Sequence, residues 1–284
     1  MSRHGKGRQS LIIGTGVSAG IGASEGTFPK REAGSSLIAD QADLPSSCCA
    51  VILAAGSSKR MGIPKALATW PSRALAADRL GWRRDPKATP EHTSQAPSFL
   101  EGILRTCHEA RIPAVVVTRP DQTDLHRAID LLENLGLPLH RATNPMARSE
   151  MVDSFWFGAQ EALRLFPASV SLLVWPVDCP AVSVADLAHL ANRAEAMPDS
   201  YLVLSWRNEP GHPASIPRSV VEAMPSVGVG TSDRTGPTTD LRRLTRSICG
   251  PAVLVEATDR GILMNLNRPQ DLNGLAVQAV NMKP

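Results

Sequence analysis

From Cys49 onward the chain alternates short apolar runs with longer amphipathic stretches. Val51-Ile52-Leu53, Ala114 to Thr118, Ser171 to Trp175 and Tyr201 to Trp206 are apolar or β-branched runs of strand length. Leu137 to Ala142 and Ala252 to Val255 are shorter runs of the same kind. Between them the apolar spacing becomes helical. Ser98-Phe-Leu-Glu101 opens a helix as a capping box, running to about Ala110. Further helices are predicted over about 122–135, 151–166 and, capped by Ser183, up to about Met197. Asn144-Pro145 opens a loop, and Pro269 suits the first position of a closing helix. Buried strands separated by helices at this spacing predict an α/β fold, three-layered and Rossmann-like. Its mostly parallel central sheet is covered on both faces.

Three stretches break the pattern. Residues 1–46 are rich in Gly, Ser and Ala and are expected to be a flexible tail, leaving 47–284 as the folded domain. The tail's Gly14-Thr-Gly16-Val-Ser-Ala-Gly20 imitates a dinucleotide fingerprint, but its spacing is wrong and no apolar helix follows. The Pro-, Arg- and Thr-rich stretch up to Pro97, and the Gly- and Thr-rich stretch 227–239, are expected as exposed loops.

Composition narrows the function. Net charge is +3 over 284 residues, which makes no case for nucleic acid or a membrane surface. No apolar run approaches the roughly 18 residues of a spanning helix, and Leu11-Ile12-Ile13 is too short for a signal peptide. A cytoplasmic protein is expected. The five cysteines are odd in number and scattered, with no CxxC pair, so free thiols are expected rather than disulfides or zinc.

The candidate chemistry is concentrated in Ala50 to Lys65, AVILAAGSSKRMGIPK. The strand ends in the small residues Ala54-Ala55-Gly56-Ser57-Ser58, which let backbone N–H groups approach a ligand. Arg60 and Lys65 follow, with Gly62 and Pro64 shaping the turn. A strand, a small-residue loop and two spaced cations make an anion site of the polyphosphate kind. The Gly-Lys-Ser/Thr ending of a P-loop is absent. Asp178, between Pro176 and Pro180 at the end of a buried strand, reads equally as a metal ligand or as a turn carboxylate.

LAAGSSKRMGIPK resembles the signature of the molybdenum-cofactor type nucleotidyltransferases, L-A-[AG]-G-x-S-x-R-M-G-x-x-K. Matching positions are Leu53, Ala54, Ala55, Gly56, Ser58, Arg60, Met61, Gly62 and Lys65. Pro176-Val-Asp178-Cys-Pro180 resembles the family's P-[VM]-D-x-P, whose Asp holds Mg²⁺. Asn265-Leu-Asn267-Arg-Pro269-Gln-Asp271-Leu272 resembles its C-terminal string, whose second polar position, here Asn267, is the second metal contact. Gly211-His212-Pro213 resembles a GHP string near the acceptor. The segment 144–158 resembles one that lines base and ribose, with Ser154 and Gly158 matching.

The resemblance spans about residues 50–280. It implies a nucleotidyltransferase fold of GT-A type and an Mg²⁺-dependent enzyme. That enzyme moves a nucleoside monophosphate from an NTP to a phosphate-bearing acceptor such as molybdopterin, with release of pyrophosphate. It implies that the loop from Leu53 to Ser58 binds the triphosphate. Arg60 then clamps its β and γ oxygens, Lys65 neutralises the α-phosphate, Asp178 and Asn267 hold the metal, Ser154 lines the nucleotide and His212 meets the acceptor. A molybdoenzyme or chaperone is the implied recipient of the product. Ala55 and the GHP string lean toward CTP, and the Asn-x-Asn string toward GTP. Sugar-phosphate transfer and a nucleotide-binding protein without turnover are the other readings. Three positions and one insertion depart from the pattern. Glu150 replaces a Gly, Asn267 replaces the commoner Asp, Arg268 replaces Thr, and residues 73–97 insert between Lys65 and the helix at Ser98. Within that insertion Trp82, Arg83 and Arg84 are candidates for a lid over phosphates.

Overall fold

The computed structural model describes residues 47–56, 61–82, 96–146, 150–224, 240–268 and 270–272. Arg60, Ser57 and Ser58 lie outside these residues, as do the tail 1–46, Arg83, Arg84, Pro269 and 227–239.

The strands are β1 (Cys48–Leu53), β2 (Ala114–Thr118), β3 (His140–Thr143), β4 (Ser171–Pro176), β5 (Leu202–Trp206), β6 (Glu209–Pro217) and β7 (Val253–Glu256). They form one seven-stranded sheet in the order β3-β2-β1-β4-β6-β5-β7. Every neighbouring pair is parallel except the two that involve β6, which runs antiparallel to β4 and β5. The α/β architecture with a mostly parallel sheet is therefore as the apolar pattern predicts.

The helices are α1 (Arg73–Leu80), α2 (Phe99–Glu109), α3 (Thr123–Asn134), α4 (Met151–Leu165), α5 (Val184–Ala196), α6 (Arg218–Ala223) and α7 (Leu241–Cys249). Alternate residues of each strand face opposite ways, so the sheet separates two cores. Cys48, Ala50 and Ile52 of β1 face one core with α2, α3 and α5. Cys49, Val51 and Leu53 face the other with α4, α6 and α7. Burial on both faces is why these strands read as continuous apolar runs. The cysteines are free, all buried except the half-buried Cys249.

Two elements differ from the sequence expectation. Strand β6 carries Pro210, Pro213 and Pro217, residues that argue against an interior strand. It nevertheless joins the sheet, entered through a turn with Arg207 and Asn208 at positive φ of 52° and 67°. The stretch expected as an exposed loop up to Pro97 contains α1. Ser72 caps it by accepting from Leu75 N at 3.1 Å, and Gly81 at φ 70° ends it. Trp82 is docked rather than lid-like: its indole donates to Thr106 Oγ1 at 3.1 Å and Arg105 lies over its ring.

Helix α1 belongs to a third, smaller core with Met61, Trp70, Phe99, Ala181 and Leu266. The Arg79 guanidinium is almost fully buried there and pairs with Asp259 at 2.8 Å. This ties α1 to the 3-10 turn Arg260–Leu263.

Gly158 lets α4 approach the sheet closely. A Cβ there would sit 2.5 Å from Val51 Cγ1 and still nearer to Val117. Gly158→Ala is expected to cost about 1–3 kcal/mol, the scale of overpacking. A drop in the urea midpoint with unchanged slope would show it; an unchanged midpoint would mean that α4 shifts freely on the sheet.

Candidate active site

The strand order reverses between β1 and β4. Chain that leaves β1 goes to β2 on one side, whereas β4 returns on the other. Such a switch point opens a crevice at the carboxyl ends of the strands. Leu53 pairs with Pro176 there, so the loops after β1 and β4 emerge side by side.

Lys65 opens a 3-10 turn, Lys65–Leu67, just after Pro64. Asp178 follows β4 in a tight turn. Cys179 N donates to Pro176 O at 3.0 Å, and the buried Trp175 indole donates to Cys179 O at 2.8 Å. Lys65 Nζ donates to Asp178 Oδ2 at 2.7 Å, with each side chain about a fifth exposed. Lys65 Nζ also donates to Asn267 Oδ1. Residues 65, 178 and 267 thus meet at one cation. Neither Asp178 nor Asn267 is only a turn residue. Ser183, not Asp178, caps α5, accepting from Asp186 N at 3.1 Å.

The backbone fixes this meeting. Leu266 N donates to Asp178 O at 2.8 Å. Asp271 Oδ2 accepts from Asn267 N and Arg268 N at 2.7 and 2.8 Å. Asn267 Nδ2 donates to Asn265 Oδ1 at 2.6 Å, which orients its carbonyl oxygen toward Lys65. Gly261 and Gly211 pack the 3-10 turn from two sides. A Cβ on Gly261 would run into Ala181 O, and one on Gly211 into Ile262 O.

Leu53 is buried in the sheet, and Ala54 is engaged at both polar atoms. Its N–H donates to Val117 O at 3.0 Å and its carbonyl accepts from Gln122 Nε2 at 3.0 Å. Any phosphate-binding amide in this loop therefore starts at Ala55. Gln122 Oε1 in turn accepts from Arg119 N at 2.7 Å. Gly56, Pro64, Arg119, Asp121 and Gln122 border a cavity of about 320 Å³. Ser154 is buried, not solvent-facing, and its Oγ accepts from Asn144 Nδ2 at 3.1 Å. Glu150, the departure from the family pattern, makes a reciprocal capping box with Asp153 at the start of α4.

His212 lies in β6, the strand that follows β5. Ala214 pairs with Val174, which brings His212 level with the end of β4. Arg242 Nη2 lies 3.5 Å from His212 Nε2, and His212 Nδ1 is buried with no hydrogen-bond partner among the described residues. Burial pushes the Cys179 thiol up, reinforced by Asp178 and opposed by Lys65 and Arg242. The sequence reading missed Arg242 and the Gln122 bridge. Thr239-Asp240-Leu241-Arg242 carries an N-cap signal that could have revealed the helix bearing Arg242. Gln122 gave no signal beyond its place at a helix start.

Residues 50–248 match the family model of the MobA-like NTP transferase domain. No curated protein matches the chain in sequence. Among solved structures, a nucleotidyl transferase from Methanothermobacter is 19% identical, with a TM-score of 0.52, covering 83% of this chain and 99% of that one. Molybdopterin-guanine dinucleotide biosynthesis protein A from Archaeoglobus fulgidus is 16% identical, with a TM-score of 0.50, covering 82% and 99%. A Mycobacterium tuberculosis protein solved in complex with manganese is 16% identical, with a TM-score of 0.50, covering 81% and 97%. At these identities the structures establish the shared fold.

Burial, aided by Arg242 and opposed by Asp178, pushes His212 down from 6.5 to about 4. Between those values the unfolded chain binds a proton that the folded ring refuses. The contribution to stability is present above pH 6.5 and is lost as pH falls toward 4. His212→Gln is expected to flatten the decline of stability across that window. An NMR titration that put the His212 midpoint at or above 6.5 would contradict this.

Proposed function

The chain belongs to the MobA-like NTP transferase family, and from that premise we propose that it transfers a nucleoside monophosphate, with CTP the favoured donor, to a phosphate-bearing acceptor of the molybdopterin kind, releasing pyrophosphate. It is a nucleotidyltransferase by family; the donor and acceptor are the proposal. The observation that carries the reading is the convergence of Asp178 and Asn267 on the Lys65 ammonium. We take 47–284 as the transferase domain and 1–46 as a tail outside it. Among the described residues no helix is long and apolar enough to cross a membrane.

The donor set suits a hard divalent cation. One carboxylate and one amide oxygen already face a single positive charge, for which Lys65 stands in. No group of three or more His, Cys, Asp or Glu among the described residues could hold a metal. With two protein oxygens meeting at this point, other ligands would fall to phosphate oxygens and water, the habit of Mg²⁺. Asp178 and Asn267 would hold it, and the bound ion would neutralise charge on those oxygens. The manganese found in the mycobacterial structure is compatible with the same ion class.

The rest follows from charge and position. Amides from Ala55 to Ser58 would cradle the triphosphate, and Arg60 would clamp its β and γ oxygens. Lys65 would move from Asp178 and Asn267 to the α-phosphate, where charge develops. The cavity beside Gly56 gives the donor room. An acceptor phosphate is already anionic near pH 7, so its attack on the α-phosphorus needs no general base. With Asn267 in place of a carboxylate, metal binding would be weaker than at a two-carboxylate site. Guanylyl transfer, sugar-phosphate transfer and nucleotide binding without turnover are the alternatives; pyrophosphate release separates the last from the rest.

Lys65→Ala and Asp178→Ala are each expected to lower turnover by about 10²-fold or more, the scale of losing one preorganised charge contact. A thermal-shift panel with CTP, GTP, ATP and UTP, with and without Mg²⁺, should give a Mg²⁺-dependent rise for one nucleotide that Asp178→Ala abolishes. No rise with any nucleotide would sink the proposal.

A second outcome is specific to the observed lysine. Lys65→Met should bind Mn²⁺ without nucleotide about tenfold more tightly than wild type, because the ammonium no longer competes. Weaker Mn²⁺ binding by electron paramagnetic resonance would mean that the ammonium does not occupy the metal position.

A further inference from the structure

We propose that Arg242, beside His212, binds the phosphate group of the acceptor as a phosphomonoester dianion. The inference rests on the transferase reading above and adds the residue that receives the acceptor.

The first argument is the order of groups along the carboxyl edge of the sheet. The Arg119 and Gln122 cavity lies by β2, the small-residue loop after β1, Asp178 after β4, and His212 on β6. On the transferase reading the triphosphate would lie on the β2 and β1 side, by Ala55 and Gly56. In-line transfer needs the attacking oxygen opposite the departing pyrophosphate. That direction leads across Asp178 to β6.

The second argument is the setting of Arg242. Asp240 caps α7, accepting from Arg242 N at 3.0 Å. Leu241, Leu244 and Thr245 bury the other side of the helix, which leaves Arg242 exposed. Its guanidinium meets the imidazole of His212 and no carboxylate within ion-pair distance among the described residues. Its contact with His212, which is level with the end of β4, places the guanidinium toward the cleft. Among the described residues most of its donors meet no acceptor, which suits a planar, bidentate partner, the arrangement that phosphate oxygens fit.

The third argument is the neutrality of the neighbour. Arg242 can only donate, so His212 Nε2 accepts and the ring proton resides on Nδ1. A neutral imidazole beside a guanidinium adds shape without competing charge. The cation is left to an incoming anion.

The test follows the His212 ring signal by NMR, assigned by its loss in His212→Gln, while methyl phosphate is added to the full chain in EDTA. In wild type a saturable shift is expected. Arg242→Ala should weaken the fitted Kd by at least about tenfold, the range of one charge-assisted contact, and Arg242→Lys by less. Arg243→Ala, on the same helix, should stay within about twofold, the noise of a diffuse charge effect. Arg242→Gln provides a second variant should Arg242→Ala lose its fold by circular dichroism. A titration of Arg242→Ala or Arg242→Gln that matches wild type overturns the inference, as does a wild-type ring that does not respond. Loss of binding in Lys65→Ala with Arg242→Ala unaffected assigns the probe to the triphosphate site; the inference then fails while the transferase reading stands. An intact, Arg242-dependent titration in a protein that binds no NTP supports the phosphate subsite and fails the transferase reading.

Discussion

One ammonium group joins three distant parts of the chain. Lys65 follows β1, Asp178 follows β4 and Asn267 lies beyond β7, yet their polar atoms meet at Lys65 Nζ. The arrangement is electrostatically self-consistent: a carboxylate and an amide oxygen, partly withdrawn from water, need a cation between them. It also exposes a competition. On the transferase reading proposed above, a cation brought by a triphosphate would contend with the lysine for the same two oxygens. The lysine that leaves them is then available to the phosphate itself.

The surrounding structure holds that meeting point from behind. The 3-10 turn at 260–263 is wedged against Ala181 through Gly261 and receives Gly211 on its other side, with no room for a Cβ at either glycine. Arg79 anchors α1 to Asp259 at the head of this turn. Met61, Ala181 and Leu266, each next to a site-bearing segment, share one small core with α1. Residues 73–80 are thus scaffolding for the cleft rather than a cover over it. The buried guanidinium of Arg79 leaves its Nε without a partner among the described residues, a cost that the surrounding packing offsets.

The parts legible in the sequence share a physical cause. β1, β2, β4 and β5 are buried on both faces, so all their residues but Thr118, Ser171 and Ser205 are apolar and the run stands out. Lys65, Asp178 and Asn267 were legible as motif positions, but their mutual contact depends on strand order, which no local pattern carries. β6 escaped because its prolines read as turn residues, although its neighbours β4 and β5 complete the ladder around them. α1 escaped because what holds it is tertiary: Arg79 to Asp259, and Leu80 against Trp70 and Phe99. Arg242 stood behind a Gly- and Thr-rich stretch, on a short helix whose only sequence signals are the Asp240 cap and the spacing of Leu241 and Leu244.

The reversed strand gives the sheet a seam. On one side of it, β1 to β4 run parallel and carry Lys65 and Asp178; on the other, the β5–β6 hairpin carries His212 and can lengthen or shorten at its Arg207-Asn208 turn. Variation at the hairpin turn lies outside the register between β1 and β4. The two sides can therefore diverge at different rates in descent. On the transferase reading, a lineage could exchange what it modifies while it inherits, unaltered, the means of activating the nucleotide.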